Sequence, residues 1–405
     1  MIYADNNATT SVAPRVLEAM LPWLRDRFHN PSSLYDPAAD AAHAVQTARA
    51  AVASFLRADP AEILFTSCAT ESNNTALFGT AAANPSRRHI VVSAVEHPAI
   101  LEPARELQRR GWDVTIVPVD PDGNLSRPDF VRALRPGETL LVSVMHANNE
   151  TGVVFPVADL ARIVKATDPA ILFHTDATQT AAKIPLDLSS DFRDVDLLSF
   201  SGHKMHAPKG VGVLFVRRGT PLRPFLFGGH QESGRRGGTE NVPYIVGLAE
   251  ACVLAAEAFA AGEPARIAAL RDNLQARLAA AIPYLEVNGA RAPRTPNTLN
   301  LACHYIEGES ILVELNRLGI CASTGSACSS GSLEPSHVLR AMRVPFTAMH
   351  GSVRFSLSGD NTQADVDAIA DALPVVVSNL RRLSPYWNAA ANAPRPGSLP
   401  ANPFA

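Results

Sequence analysis

Between residues 60 and 216 the chain alternates short, almost unbroken apolar runs with stretches of helical character. No other feature limits its fold as much. The runs are Ile63–Thr66, Ile90–Ser93, Val114–Val117, Leu140–Val144, Ile171–His174, Val195–Phe200 and Gly212–Val216. A strand that is apolar on both sides must be covered on both, which is the condition of a mostly parallel sheet. The intervening segments suit crossover helices, so a doubly wound α/β domain is expected, with ligands held beyond the carboxyl ends of the strands. The residues just after each run are therefore the candidates for chemistry.

Two Ala- and Leu-rich helices follow at 243–261 and 264–281, broken at Gly262 and each with proline near its start. Beyond them come a helix at 309–318, a small-residue loop at 323–332, a strand at 353–357 and a last helix. That helix opens with Thr362-Gln363-Ala364-Asp365, an acidic form of the capping box. This stretch reads as a smaller α+β domain. After Trp387 the chain turns to Ala, Asn and Pro, too poor in large apolar groups to fold alone, so 388–405 is expected to be a flexible tail.

Charge narrows the function classes. With 36 Lys plus Arg against 39 Asp plus Glu and a net charge of -3, no basic face for a nucleic-acid partner is announced. The first residues lack the basic stretch and apolar run of a secretory signal, and no apolar stretch reaches about 18 residues. A cytoplasmic protein with no membrane partner is expected. The five cysteines, Cys68, Cys252, Cys303, Cys321 and Cys328, contain no CxxC pair, so they signal free thiols rather than a disulfide framework or a zinc site.

Thr175-Asp176-Ala177-Thr178-Gln179 follows one run and Ser201-Gly202-His203-Lys204 the next, so an acid and a lysine emerge at neighbouring strand ends. That pairing suggests pyridoxal phosphate: a lysine can hold the cofactor as a Schiff base, and a carboxylate on the pyridine nitrogen strengthens the ring as an electron sink. Asp176 as a helix cap and Lys204 as a solvated loop lysine are the plain alternatives. Phosphate donors are expected where the first strand hands over to a helix near Glu71, with Thr70, Ser201 and His203 suitable and an ordinary N-cap the alternative for Thr70. His97 could cover the cofactor ring and shuttle protons, or simply start a helix. An amide within Asn148 to Gly152 could bond the cofactor's phenolic oxygen, or form a polar turn. His203 and His206 have no third ligand at defined spacing to make a metal site, and no metal is expected in the resting protein.

Together these stretches resemble the cysteine desulfurases of fold type I, within class V of the aminotransferase superfamily. The similarity runs from Tyr3-Ala4-Asp5-Asn6-Asn7-Ala8-Thr9-Thr10 through Ala69-Thr70-Glu71-Ser72, Glu96-His97-Pro98, Asp176 to Gln179 and Ser201 to Lys204. It continues through Gly325-Ser326-Ala327-Cys328 and Val353-Arg354-Phe355-Ser356 to Ser384-Pro385-Tyr386-Trp387. Phrases such as His206-Ala207-Pro208-Lys209-Gly210 and Gly238-Thr239-Glu240-Asn241-Val242 are most similar to the nitrogen-fixation type. The alternatives within reach are a housekeeping desulfurase or a selenocysteine lyase-like enzyme, a β-eliminating relative, and an inactive sulfur-carrier or scaffold-binding module.

The resemblance implies a segment 1–14 packed with the small domain, a cofactor-binding large domain 15–262 and a small domain 263–387 carrying the catalytic cysteine loop. It implies Lys204 as the Schiff-base lysine, Asp176 on the pyridinium nitrogen and His97 stacked on the ring. Asn149 and Gln179 fall near the phenolic oxygen, and Ala69, Thr70, Ser201 and His203 fall at the phosphate. Thr239 would reach the partner subunit's cofactor, making a homodimer part of the site, and Arg354 with Asn149 would hold the carboxylate of L-cysteine. Cys328 would take the sulfur as a persulfide, deliver it to an iron-sulfur scaffold protein, and contact a nascent cluster in passing. Two departures stand out. Ala69 replaces a common glycine, and Ser233 and Gly237 alter the loop before Thr239, which is expected to loosen it.

Overall fold

The computed structural model describes residues 1–324 and 335–395. After β1 (Ile2–Tyr3), helices α1 (Pro14–Arg25) and α2 (Asp36–Leu56) lead into the main sheet. Its strands are β2 (Ile63–Thr66), β3 (His89–Ser93), β4 (Asp113–Val117), β5 (Thr139–Ser143), β6 (Leu172–Asp176), β7 (Leu197–Ser201) and β8 (Gly212–Val216). Helices α3 (Ala69–Ala83), α4 (Pro98–Arg109), α5 (Arg127–Ala133) and α6 (Val157–Thr167) are interleaved with them. The seven strands lie in the order β2-β8-β7-β6-β5-β3-β4. β8 runs antiparallel to both neighbours and the other pairs are parallel.

The near-continuous apolar runs have the expected cause. Successive side chains alternate between faces, and each face meets a core. Ile63, Phe65, Val91, Val142, Phe173 and Phe200 join the core shared with α2 and α6, while Leu64, Ile90, Val92, Leu141, Leu172 and Leu197 join the one beneath α3 and α4.

Helix α7 (Val242–Ala260) follows the sheet, and α8 (Glu263–Ala281) begins after Gly262. Among the described residues α7 is the one helix long and apolar enough to cross a membrane. Its Val242, Ile245, Leu248, Cys252 and Ala255 are instead buried in the protein core with Val16 and Met20 of α1.

Strands β9 (Leu285–Val287) and β10 (Thr298–Cys303), helix α9 (Gly308–Arg317), β11 (Ile320–Cys321), helices α10 (His337–Ala341) and α11 (Phe346–Met349), strand β12 (Ser352–Ser356) and helix α12 (Gln363–Leu383) complete the second unit. Its antiparallel sheet has the order β12-β10-β9. Leu274 and Leu278 of α8, Leu315 of α9 and Ile369 and Leu373 of α12 pack in its core, and so does Ala4. The N-terminal segment is tied to this unit by β1 pairing with β11 and by a bridge between Asp5 and Ser356. Thr362 caps α12 with both bonds of the capping box, its side chain accepting from Asp365 N and Asp365 accepting from Thr362 N. The stretch after Trp387 differs from a structureless tail over its first residues: Trp387 and Asn388 pair antiparallel with Pro394 and Ala393, and Trp387 is buried.

Candidate active site

A cavity of about 380 Å³ opens beyond the carboxyl ends of β2, β3, β5, β6 and β7. Ala69, Thr70, His97, Asn149, Asp176, Gln179, Ser201, His203, Lys204 and Arg354 all line it. Ten candidates scattered over 286 positions of sequence are thus brought to one place. Thr239 does not line it; it lies exposed on the loop before α7. Cys328 lies outside the described residues. Its flanks do not: Ser323 exchanges backbone hydrogen bonds with Arg354, and on the far side Ser336 Oγ donates to Glu150 Oε2 at 2.5 Å and His337 Nε2 donates to Glu96 O at 3.0 Å. Both ends of the segment that carries the cysteine are therefore held beside neighbours of Arg354, Asn149 and His97.

Asp176 is the last residue of β6 and is buried. Its Oδ2 accepts from Asn73 Nδ2 at 2.7 Å and its Oδ1 from Thr178 N at 2.9 Å. No helix follows for it to cap, since residues 178–183 form turns; the bond from Thr178 N closes a local turn, and the carboxylate lines the cavity. Lys204 closes a short 3-10 turn after β7, and its Nζ donates to the carbonyls of Asn7 and Ala8, each at 2.6 Å. It is not a solvated loop lysine.

His97 is the N-cap of α4, with Nδ1 accepting from Ala99 N at 3.1 Å. Burial first, then Lys204 and His337, push its pKa down against the pull of Asp176. The ring is thus neutral near pH 7, and with Nδ1 occupied its proton sits on Nε2. His203 is held down to about 4, chiefly by burial and then by Lys204 and Lys209, while its Nδ1 lies 3.2 Å from Thr9 Oγ1. His206 faces a different cavity and bonds Ser11 O, so the two histidines do not converge.

Asn148 and Asn149 divide the two roles foreseen for this turn. Asn148 Oδ1 accepts from the backbone N–H of Glu150 and Thr151, forming the polar turn, whereas Asn149 lines the cavity. Arg354 is buried; its Nη1 donates to Asn149 O at 2.8 Å and its Nη2 to Asp5 Oδ1 at 2.7 Å. Each Nη keeps a second N–H, so the planar fork retains donors for a carboxylate.

The phosphate end can be tested on the donors present. Ser201 Oγ and Thr178 Oγ1 are buried with no hydrogen-bond partner among the described residues, an expensive arrangement for hydroxyls unless a ligand completes it. Both line the cavity, as do Ala69 and Thr70 of the first turn of α3. A dianion there would meet hydroxyls and the positive end of a 15-residue helix, and the residues fit the phosphate of pyridoxal phosphate.

α3 begins at Ala69, two residues earlier than expected, with Cys68 rather than Thr70 at the N-cap. Ala69 has no positive φ, so alanine takes the place of glycine without strain. The tight position is Gly212, where a Cβ would lie 2.7 Å from the carbonyl carbon of Cys68; its absence lets the cradle close against β8.

Thr178, Asn73 and Asn7 also line the cavity, and sequence reasoning assigned none of them a role. A polar residue on the buried face of α3, one turn after Ala69 and Thr70, was the available signal for Asn73.

The chain matches the aminotransferase class-V family model over residues 2–369. It is 50% identical over 388 residues to a cysteine desulfurase of Trichormus azollae, covering 96% of each chain. It is 48% identical over 397 residues to the cysteine desulfurase NifS of Azotobacter vinelandii, covering 98% of this chain and 97% of the relative. A solved NifS-like protein superposes with a TM-score of 0.87 at 39% identity, covering 94% of this chain and all of that one. The chain belongs to the aminotransferase class-V family. Within that family it is a cysteine desulfurase, a pyridoxal-phosphate-dependent enzyme acting on L-cysteine.

Proposed function

We propose that this enzyme converts L-cysteine to L-alanine through a persulfide on Cys328, as a homodimer in the cytoplasm, and supplies sulfur to an iron-sulfur scaffold protein, the nitrogenase pathway being its destination. The observation that carries the chemistry is the convergence of Lys204, Asp176, His97 and Arg354 on one cavity. Lys204 would hold the cofactor's aldehyde carbon, Asp176 its ring nitrogen and His97 its face, with Asn149 and Gln179 beside its phenolic oxygen. Ala69, Thr70, Ser201 and His203 would hold the phosphate, joined by Thr239 of a second copy. When bound, the cofactor supplies an electron sink for the carbanion at the substrate α-carbon.

The chain's own groups do the rest. Arg354 and Asn149 hold the substrate carboxylate, and Lys204 takes the α-proton. Cys328 attacks as a thiolate: its bond to the substrate sulfur forms as the bond from that sulfur to the β-carbon breaks. With its proton on Nε2, His97 is poised to give a proton rather than take one, which favours the substrate amine as the base for the thiol. A second copy is supported by Phe225, Leu226 and Phe227, exposed on the loop that leads to Thr239. The nitrogen-fixation destination is supported by the 48% identity to the Azotobacter vinelandii relative.

The test is a visible spectrum of the purified protein and an assay of alanine formed from L-cysteine. Pyruvate and ammonia in place of alanine would sink the reading. Cys328→Ser is expected to keep the cofactor's visible band and to form no persulfide, as measured by alkylation and mass spectrometry.

A further inference from the structure

Lys183 lies one turn after Gln179, and its Nζ donates to Gln179 Oε1 at 2.7 Å and to Asn7 Oδ1 at 3.0 Å. The charged groups acting on it, Lys204 and Arg354, are both cations. An amine between two amide oxygens at these distances donates to both, whether it carries two protons or three.

An amide has a donor end and an acceptor end of nearly the same shape, so its orientation is set by whatever holds one end. With Oε1 fixed on Lys183, Gln179 turns its Nε2 the other way, one N–H going to Asn7 O at 3.1 Å, and the residue lines the active-site cavity. Asn7 is oriented by the same logic. Its Oδ1 accepts from Lys183 and from Asn297 Nδ2 at 2.9 Å, so its Nδ2 donates to Asn149 O at 3.1 Å and Thr298 Oγ1 at 2.8 Å. The carbonyl of Asn7 then receives Lys204 Nζ.

We propose that Lys183 is a positioning residue for desulfuration: by holding the amide oxygens of Gln179 and Asn7, it makes Gln179 a hydrogen-bond donor toward the cavity beside Lys204. A donor amide there favours an anionic oxygen on the bound ring and disfavours a hydroxyl in its donor form. The inference rests on the cofactor reading above. Loss of Lys183 frees Gln179 to present its oxygen, and that change favours the protonated form of the link between Lys204 and the cofactor.

The experiment titrates the visible band of the holoenzyme against pH for wild type, Lys183→Met and Lys183→Arg. The Met variant is expected to raise the midpoint by about one pH unit, and the Arg variant, which keeps the donors, to stay within about 0.3 unit of wild type. Lys183→Leu likewise has no donor, and it is expected to shift in the same direction as Met, so it serves if the Met variant does not fold. A folded Met or Leu variant whose midpoint coincides with wild type would overturn the proposal. A wild type with no visible band would overturn the cofactor reading instead.

Discussion

Asp176 shows how a carboxylate can be held without being used up. Asn73 and the N–H of Thr178 each take one oxygen, yet the residue still lines the cavity. Asn73 Oδ1 has no hydrogen-bond partner among the described residues, so its amide can turn over to accept from an asparagine at 176. Asp176→Asn should therefore melt within a degree or two of wild type while alanine formation falls on the order of 100-fold or more, because only the charge facing the ring nitrogen is lost. Beside the site, Glu96 is wholly buried and its pKa is pushed up to about 8 by burial, against the hydrogen bonds from Ser93 and the Met145 N–H. The native state then holds a proton that the unfolded chain releases above about pH 4.5, so this residue costs stability progressively from about pH 4.5 to about pH 8. Glu96→Gln should show a urea midpoint that gains on wild type as pH rises through that window; a constant difference would contradict it. At this scale the sequence displayed the groups that carry charge, because acids, lysines and histidines at strand ends are conspicuous. It did not display Thr178 or Asn73, whose roles depend on which hydroxyl ends without a partner and which amide ends beside a carboxylate.

At the scale of elements, the seven apolar runs became the seven strands of the main sheet, with ends moved by a residue or two, and Gly262 and Thr362 marked helix boundaries where expected. Periodicity and capping are local properties, so they can be read locally. Strand order, the antiparallel β8 and the treatment of the sheet edge are not local. β2 is an edge strand and would present unpaired backbone groups. Glu232 covers its Phe65 N–H at 3.0 Å, and Arg49 and Arg235 donate to its Ile63 O. Arg49 and Glu232 pair with each other through two bonds of 2.7 and 2.8 Å and are both buried. Arg49→Met would leave the Glu232 carboxylate buried without its cation, at a cost of about 3–5 kcal/mol in a urea titration. Glu232 and Ser233 adopt positive φ to make this contact, and a Cβ at Gly237 would fall 2.5 Å from Gly228 Cα. Far from loosening the loop that ends at Thr239, glycine at 237 lets its two arms press together.

Across the whole molecule, the active site is a junction between the two packed units, and Asn7 is its pin. The residue is buried, its N–H donates to Ser356 Oγ at 2.9 Å, and its other groups reach Asn149, Gln179, Lys183, Lys204, Asn297 and Thr298. Asn7→Ala strands several buried partners at once, each costing about 1–3 kcal/mol. It should lower the cofactor's affinity, read by titrating the apoprotein, more than it lowers the far-UV helical signal. The motif Asp5-Asn6-Asn7 was visible in the sequence, but its reach across both units was not, since long-range convergence is set by the packed topology rather than by local pattern.

That reach has a consequence for how the enzyme is born. Asn7 leaves the ribosome 349 positions ahead of Ser356, whose hydroxyl oxygen accepts its N–H. The large sheet can condense while translation continues, but the carbonyls that receive Lys204 cannot be locked in place until β12 has emerged. Coenzyme capture is expected to wait for that strand, and a nascent chain stalled before it to be folded in part and still chemically silent.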